Sequence, residues 1–546
     1  MICGAAPDER AAGERAENRW PRNNVRGDTE QSPFVIEQVD EEGFHLVDTK
    51  QIMKPKWGPG ARRGGMGFQG GRGGRGGGSW GQDRNRDGQS QQVKDQARDR
   101  AAYQAGQRGG FGQRGGWGGR GRGGRFDSWR DKPQRVRVAS VEIRADWAPL
   151  DGSAGTDDYT MSLPQMEKLR IEEDAPPVEE LACVGSLFNV TKTIDKASVR
   201  AAIPLKKLQE PKPWHLAVTE DPVLQKLASQ GKANVFTTDT ALAVLMAAPR
   251  STISWDMVVL RQGGSIFLDV REGSSIYDTT VNETAQDAPD DEQKDMNAMT
   301  ALAAEAGYIN YCYSQQTLDK QQAPQAQEKG AKELTGAWAS GASGAGLPAG
   351  RALRYRRFEL EDGLTLVVRC ELDGIMETRD GKAAFVTTKA MNEFDPKISG
   401  IDWRQKLESQ RAAVLANELK NNRNKLARWT AEALLSGADF MRIGMVSRAH
   451  AKDNVNHFIL QNQVYRPEEF AKMIDLKTEN VWAIVQAVMK RLIQLPEDGT
   501  GSSLYLMLRD PMKAQVNLYR VPADAFDLDV EDEEVQVQDD GDDSDY

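Results

Sequence analysis

Cysteine is scarce in this chain of 546 residues, and it is nowhere clustered. The four cysteines, Cys3, Cys183, Cys312 and Cys370, form no CxxC pair and no metal-like group with the four histidines. This distribution argues against a zinc finger and against a disulfide scaffold. It favours a reducing compartment.

Long apolar runs are missing as well, and so are two common hydrolase motifs. No run approaches the ~20 apolar residues needed to span a bilayer, and the charged N-terminus does not resemble a signal peptide. There is no GxxxxGK[ST] loop for nucleotide phosphates and no GxSxG elbow. We therefore expect a cytoplasmic protein with no membrane contact, no nucleotide hydrolysis and no esterase chemistry.

Charge is strongly segregated along the chain. The last 23 residues hold twelve carboxylates and no Lys or Arg. Residues 57–130 hold fourteen Arg and one Lys against five Asp, together with 25 of the 52 glycines. The net charge of −10 therefore conceals a basic region and an acidic tail, and only the local charge is informative about partners.

The basic region consists of arginine and glycine repeats with single aromatic residues between them. GGRGGRGGG, QRGGFGQRGG and WGGRGRGGRF are its clearest repeats. Arginine neutralises phosphates and stacks on bases, and aromatic rings stack on unpaired bases. This pattern predicts RNA binding with little sequence preference and strong salt dependence, although a solubilising linker would have a similar composition.

The composition divides the chain into four regions. We expect residues 1–56 to form an N-terminal tail with a docking segment near 34–56, and residues 57–135 to form a disordered Arg/Gly-rich region that binds RNA. Residues 136–522 form the folded domain, with a flexible insertion at 320–350, and residues 523–546 form a disordered acidic tail.

Hydrophobic periodicity predicts an α/β fold with a mixed β-sheet and packed helices. A hairpin is expected around Gly263-Gly264, and a buried helix capped by Asp239 is expected just before it. The other predicted strands are 135–147, 354–360, 364–372, 412–420, 441–448, 457–460, 503–508 and 515–521, and the other predicted helices begin at Pro164, Asn424 and Glu479. The tryptophans Trp255, Trp403 and Trp429 are assigned to the core.

Two short acidic patterns suggest metal chemistry. Residues two apart in a strand share a face, so Glu371 and Asp373 would point the same way, as would Glu418 and Lys420. Three carboxylates and a lysine around one point are what a divalent-metal phosphodiesterase requires. Ordinary surface salt bridges would produce the same patterns, and both interpretations stay open at this stage.

Several blocks of the folded region, in order and sensibly spaced, resemble the D-subunit family of eukaryotic translation initiation factor 3. They are SVEIRADW (140–147), NVFTTDTALAVLM (234–246), SWDMVVLR (254–261), GYINYCYSQQ (307–316), RYRRFELEDGLTLVVRCELDG (354–374), GIDWRQKLESQRAAVLANELKNNRNKLARWT (400–430) and GMVSRAHAKD (444–453). The resemblance implies a cap-binding domain for mRNA, similar in fold to the decapping and exonuclease enzymes. It implies partners in capped mRNA, the other subunits of the factor and the small ribosomal subunit, and no cofactor.

The resemblance also implies particular site residues. Cap binding would involve Asp239, Thr252, Ile253, Gly307, Asn310 and Tyr311, and residues 275–289 would form a loop that gates the site against RNA. The acids Glu371, Asp373 and Glu418 would be vestiges of a metal site, with no catalytic residue and no bound metal. Candidates for a basic RNA-binding lining are Arg354, Arg356, Arg357, Arg369 and Lys420.

Two alternatives to a cap-binding initiation subunit remain from the sequence. One is a metal-dependent 5′-end RNA nuclease or decapping enzyme that uses Glu371, Asp373, Glu418 and Lys420. The other is an assembly scaffold whose tails bind RNA without specificity.

Overall fold

The computed structural model describes residues 137–150, 159–172, 175–209, 216–271, 273–285, 295–340, 347, 350–496 and 501–526. Within these ranges the strands are β1 (Ala148–Pro149), β2 (Met161–Ser162), β3 (Val178–Leu187), β4 (Ile203–Pro204), β5 (Val235–Thr238), β6 (Asp256–Gln262), β7 (Ser265–Asp269), β8 (Gln325–Ala326), β9 (Lys329–Gly330), β10 (Ala352–Glu359), β11 (Thr365–Leu372), β12 (Gly374–Glu377), β13 (Ala383–Glu393), β14 (Phe440–Arg448), β15 (His457–Tyr465), β16 (Ser502–Arg509) and β17 (Gln515–Val521). The helices are α1 (Leu163–Met166), α2 (Pro222–Ser229), α3 (Asp239–Met246), α4 (Met299–Gln316), α5 (Lys332–Thr335), α6 (Ala337–Ser340), α7 (Pro396–Ser399), α8 (Trp403–Lys406), α9 (Arg411–Asn421), α10 (Arg423–Ser436), α11 (Pro467–Met473) and α12 (Thr478–Ile493).

The strands form two mixed sheets. The larger sheet has the order β1-β17-β16-β6-β7-β5-β11-β10-β3-β8, with β2 added to β17 and β9 added to β3. Strand β5 runs parallel to β7 and β11, between antiparallel pairs on both sides. The smaller sheet has the order β12-β13-β14-β15-β4, in which β13 and β14 are parallel. The prediction of an α/β fold with mixed sheets is confirmed.

The main apolar core contains residues of both sheets. It joins Val235 of β5 and Val368 of β11 to Met441 of β14, together with the buried faces of α3, α10 and α12. A second cluster packs Ile309 of α4 against Ala390 of β13. Helices α3, α4 and α10 are therefore held close to β11 and β13, and their polar side chains meet there.

Strong local patterns correspond to the observed elements. Strands β6 and β7 form the expected hairpin, in which Gln262 pairs with Ser265 across Gly263 and Gly264. The predicted strands at 354–360 and 364–372 are β10 and β11. Helix α10 ends at Gly437, whose φ of 62° lies in the left-handed region that glycine adopts without steric cost. These predictions are confirmed, as is the burial of the three tryptophans.

Two strand predictions are wrong. Residues 137–147 form no strand within the described chain: Ile143 is 44% exposed, and the backbone N–H of Ser140 donates to the hydroxyl of Ser254 instead of to a ladder. Residues 412–420 lie in helix α9, where Val414 and Glu418 are buried at helical spacing. Alternating apolar residues predict a strand only where a neighbouring strand can pair with them.

Two finer predictions also need correction. Asp239 is not the cap of α3, because the Thr238 side chain accepts the cap hydrogen bond from Ala241 N and Asp239 is the first helical residue. The insertion at 320–350 is not a plain linker in its described part. It forms β8, β9, α5 and α6, and Leu334 is buried against the larger sheet.

Regions 1–136 and 527–546 lie outside the described residues, and with them most of the predicted docking, Arg/Gly-rich and acidic segments. Of the predicted gate, residues 275–285 are described and 286–289 are not. No helix in the described part of the chain is long and apolar enough to cross a membrane.

The packing of α4 on the smaller sheet generates a test of the fold. A Cβ added at Gly444 of β14 would lie 2.4 Å from ring atoms of the buried Tyr313, so Gly444→Ala should lower the free energy of unfolding by about 1–3 kcal/mol. Gly307→Ala in α4 meets open space and should raise it by about 0.5–1 kcal/mol. Urea denaturation of both variants makes the comparison, and equal midpoints would contradict the packing.

Candidate functional site

A polar cavity of about 150 Å³ lies where α3, α4, β13 and α10 meet beneath residues 276–280. Its lining residues are Thr240, Ile276, Tyr277, Asp278, Thr279, Thr280, Asn310, Lys389, Lys425, Arg428, Trp429 and Glu432. The cavity is smaller than the ~300–1,000 Å³ typical of sites for small organic ligands. Five of the lining residues, 276–280, form one continuous segment, which we call the roof.

Two cations of α10 hold the roof by its backbone. Lys425 Nζ donates to the carbonyl oxygen of Thr280 at 2.7 Å and lies 5.5 Å from the centroid of the Trp429 ring. Arg428 donates to the carbonyl oxygen of Ile276. Burial lowers the pKa of Lys425 to about 8, although the carboxylates of Glu418 and Glu283 oppose that shift. Both cations therefore have backbone oxygens of the roof as hydrogen-bond partners.

A cluster of charged side chains, which we call the floor, includes the cavity-lining residues Lys389 and Glu432. Lys389 of β13 lies 2.8 Å from Glu432 Oε2 of α10, and Asp373 and Asp239 are its other acidic neighbours. Burial alone lowers the pKa of Lys389, but these carboxylates, Glu432 first, raise it above the ordinary value. Asp373 is tied to the same strand, because its Oδ2 accepts from Thr388 N at 2.7 Å.

Asp239 joins α3 to the end of β11. Its Oδ1 accepts from Thr240 N at 2.8 Å, and its Oδ2 accepts from Glu371 N at 2.9 Å. Burial raises the pKa of Asp239 to about 8, and the negative charges of Glu371 and Glu432 add to the effect. At neutral pH this carboxyl group is therefore largely protonated.

The predicted cap-binding residues separate into two groups. Asn310 lines the cavity, and its Oδ1 accepts from Ala390 N at 2.8 Å, while Asp239 lies within the charge cluster of the floor. Thr252 donates to the carbonyl oxygen of Glu283 at 3.1 Å, just beyond the roof. The remaining residues, Ile253, Gly307 and Tyr311, do not line this cavity.

The predicted basic lining consists largely of side chains paired within the fold. Arg369 is buried and pairs with Asp221 at 3.1 Å. Arg354 pairs with Glu180 and also donates to carbonyl oxygens at the end of α10. Arg356 donates to other carbonyl oxygens there, and Arg357 pairs with Glu179 and Glu359. These contacts give the four arginines structural partners, and their assignment to RNA stays a prediction.

The four residues of the predicted metal constellation do not converge. Glu371 pairs with Arg351 at 3.2 Å beside Asp239 and Asp373, whereas Glu418 and Lys420 lie on α9 and not on a strand. Glu418 is buried there beside Lys425, and burial raises its pKa to about 7. No group of three or more His, Cys, Asp or Glu residues in the described ranges is placed to hold a metal ion.

Lys389 and Glu432 were missed by the sequence reasoning, as were Lys425 and Arg428. One available signal was the run RNKLAR at 423–428, which places three cations in the first two turns of a helix. Cations there oppose the helix dipole unless an anion is close. Nothing in the local pattern around Lys389 distinguishes it from an ordinary strand lysine.

Solved structures similar to this chain include two Rai1 proteins. Rai1 of Scheffersomyces stipitis, in complex with (3′-NADP)+ and a calcium ion, has a TM-score of 0.41 and 14% identity, covering 67% of this chain and 94% of that chain. Rai1 of Candida albicans, in complex with pU5-Mn²⁺, has a TM-score of 0.42 and 13% identity, covering 67% and 94%. Similarity this low carries no conclusion about activity.

The sequence relatives are much closer, and they define the class as subunits of a translation initiation factor. The Arabidopsis thaliana and Homo sapiens relatives, both named as the D subunit of eukaryotic translation initiation factor 3, are each 40% identical over 73% of this chain. The chain spans 64% of the length of the first and 70% of the second. The model of the eukaryotic translation initiation factor 3 subunit 7 family matches residues 5–520, and the chain belongs to that family.

The raised pKa of Asp239 makes a prediction about stability. Because the folded pKa of about 8 exceeds the ordinary value near 4, the folded state holds a proton that the unfolded state loses between these pH values. The free energy of unfolding should therefore fall as pH rises from 4 to 8, by up to about 1.4 kcal/mol per pH unit from this group. Asp239→Asn should flatten that slope in urea denaturation at pH 5 and pH 8. An unchanged slope would contradict the assignment.

Proposed function

We propose that this chain binds the capped 5′ end of mRNA as a subunit of translation initiation factor 3. In this role it recruits mRNA to the small ribosomal subunit in the cytoplasm, together with the other subunits of the factor, and it acts by binding without turnover. Membership of the family supports the initiation role. The observation that carries the binding site is the roofed cavity, because cations, an aromatic ring and Asn310 meet there.

The chemistry of a capped end fits this combination of groups. The bridge between the cap and the first nucleotide is strongly anionic, and Lys425 and Arg428 would pair with it once the roof carbonyls leave. The Trp429 ring lines the cavity beside Lys425 but is only 7% exposed, so a base could stack on it only after the roof has opened. Asn310, whose side chain lines the cavity, would supply hydrogen-bonding groups for base edges.

The roof supports the gating that the family resemblance implies. It lines the same cavity as Trp429 and Lys389, and its backbone accepts hydrogen bonds from two cations of α10. The Asp278 carboxyl group lies in the roof, where burial raises its pKa, although the nearby Arg428 opposes the shift. A carboxylate here repels RNA phosphates for as long as the roof stays closed.

Opening the roof should expose cap-dependent binding. The triple variant Tyr277→Gly, Asp278→Ser, Thr279→Gly keeps the length of the segment and removes these side chains from the cavity. Its two glycines also add backbone freedom, which disfavours the single closed conformation. Its affinity for a capped ten-nucleotide RNA should rise about tenfold over the unmodified chain, because the closed fraction no longer reduces apparent affinity. Fluorescence anisotropy measures this, with free cap analogue as competitor. The matched control is Thr378→Gly, Arg379→Ser, Asp380→Gly in the exposed turn between β12 and β13.

Both variants are also measured without residues 57–130, so that binding by the Arg/Gly-rich region does not mask the site. Equal binding of capped and uncapped RNA in every protein would refute cap recognition. Loss of all RNA affinity on this deletion would favour the scaffold alternative.

A metal-dependent 5′-end RNA nuclease or decapping enzyme is the second candidate. Glu371 and Asp373 lie at the end of β11, and the Glu371 backbone N–H donates to the Asp239 carboxyl group. Asp373 and Asp239, however, lie near the Lys389 ammonium group and Glu371 pairs with Arg351, and no group of three such residues in the described ranges is placed to hold a metal ion. The arrangement therefore favours binding over hydrolysis.

Capped RNA incubated with the purified chain and Mn²⁺ should remain at full length, because the carboxylates already have a cation as partner. Denaturing gel electrophoresis over several hours makes the measurement, with EDTA as the control. RNA loss that needs Mn²⁺ and disappears in Glu371→Gln would establish the nuclease instead.

A further inference from the structure

The N-terminus of α10 has an unusual charge distribution. This helix of 14 residues has no acidic residue in its first turn, whereas Arg423, Lys425 and Arg428 all lie within its first two turns. The amide dipoles at a helix N-terminus favour an anion and disfavour cations. The preceding residue, Asn422, makes no capping bond to the helix, because its Oδ1 accepts from Asn282 N at 2.8 Å.

Residues 282–284, which follow the roof, cap α10 instead. Glu283 Oε1 accepts from Lys425 N at 3.1 Å, and Thr284 Oγ1 accepts from Arg423 N at 3.2 Å. The same turn is fastened to the preceding helix, since Thr284 donates to the backbone oxygens of Lys420 and Asn421. A carboxylate from elsewhere in the chain thus occupies the anion position of α10. We call residues 282–284 the plug.

The plug fills this position imperfectly. Glu283 is only 2% exposed, yet its second oxygen, Oε2, has no hydrogen-bond partner among the described residues. The Nδ2 group of Asn282, also 2% exposed, is unpartnered in the same part of the chain. Asn282 has a φ of 52°, a left-handed conformation that is uncommon for residues other than glycine. Unpaired buried polar atoms and this backbone conformation both cost free energy.

We propose that the N-terminus of α10, with Arg423, Lys425 and Arg428, is a phosphate-binding site that Glu283 plugs in the closed chain and that an RNA phosphate occupies when the plug leaves. This inference rests on the proposed RNA-binding function and adds the residue that mimics the ligand. The site is continuous with the cavity, because Lys425 and Arg428 belong to both. Roof and plug are neighbouring parts of one segment, so displacement of the plug also loosens the roof.

A phosphate group is better matched to the site than the carboxylate. It offers more acceptor oxygens to the Arg423 and Lys425 amides, and it carries more charge to set against three cations. The Arg423 side chain is 53% exposed, with its guanidinium 3.9 Å from Glu167, so an arriving phosphate could recruit it. The phosphate could come from the cap bridge or from the RNA backbone, since both present the same oxyanion.

Hydrogen exchange of the full chain, with inorganic tripolyphosphate as the probe, tests the proposal. Exchange is read at individual segments, so probe that binds to the Arg/Gly-rich region does not contribute to the signal at this site. In the unmodified chain, the probe should increase amide exchange at 280–285 relative to NaCl of equal ionic strength. In Glu283→Gln, residues 423–428 should lose protection without the probe and regain it when the probe is added. In the double variant Glu283→Gln, Arg423→Ala, the probe concentration that restores protection at 423–428 should be about tenfold higher than in Glu283→Gln, because one charged contact is lost.

Glu468→Gln is the matched control, because Glu468 is an exposed carboxylate in the first turn of another helix, α11. It should behave as the unmodified chain does. If the probe leaves exchange at 280–285 unchanged in the unmodified chain, the proposal is overturned, even if Glu283→Gln fails to fold. The proposal is also overturned if adding Arg423→Ala to Glu283→Gln leaves the probe concentration required for protection unchanged.

Two further ligands separate this proposal from the proposed function. If cap analogue and tripolyphosphate act on 280–285 but uncapped RNA with a 5′-hydroxyl does not, the phosphate comes from the cap bridge. If uncapped RNA acts equally well, the phosphate comes from the backbone. In that case cap recognition fails while the phosphate site stands.

Discussion

The arrangement of the site depends on one paired ammonium group. Lys389 of the smaller sheet pairs with Glu432 of α10 and lies near Asp373, which follows β11, and near Asp239, which begins α3. Because the Lys389 side chain is only 23% exposed, its charge is stabilised by these partners, and each of them constrains the position of the others. The cluster thereby links the two sheets and α10, and so helps to fix the positions of the elements that line the cavity.

This compensation also bears on the chemistry that the site can perform. Carboxylates at the end of β11 would suit a divalent ion if they were free, but here a lysine supplies the positive charge. A lysine cannot polarise a water molecule or a phosphate as a metal ion does. The remaining cations belong to α10 and face the roof, where they are suited to holding an anion in place.

In the closed roof and plug, polar groups of one segment pair with the cations and with the N-terminus of α10. Backbone oxygens of Thr280 and Ile276 satisfy Lys425 and Arg428, and Glu283 satisfies the helix terminus. The segment therefore supplies the positions of an anionic ligand with its own polar groups. Such a closure is stable without a ligand, and a ligand with more charge has the means to displace it.

Local pattern in the sequence determined much of this protein. Alternation and glycine pairs identified the β6–β7 hairpin and strands β10 and β11, and Gly437 marked the end of α10, because these features depend on backbone preferences that act over a few residues. The family blocks correctly indicated a component of the initiation factor. The segregated charge of the termini was also legible from composition alone.

Tertiary structure decided the rest. It made 412–420 a helix, buried Arg369 against Asp221 and replaced the expected grouping around Glu418 with one around Lys389. The partners in these contacts lie tens to hundreds of residues apart, as Lys425 and Glu283 do. A side chain's charge is visible in the sequence, but whether that charge meets a partner, water or a ligand depends on which distant residues the fold brings beside it.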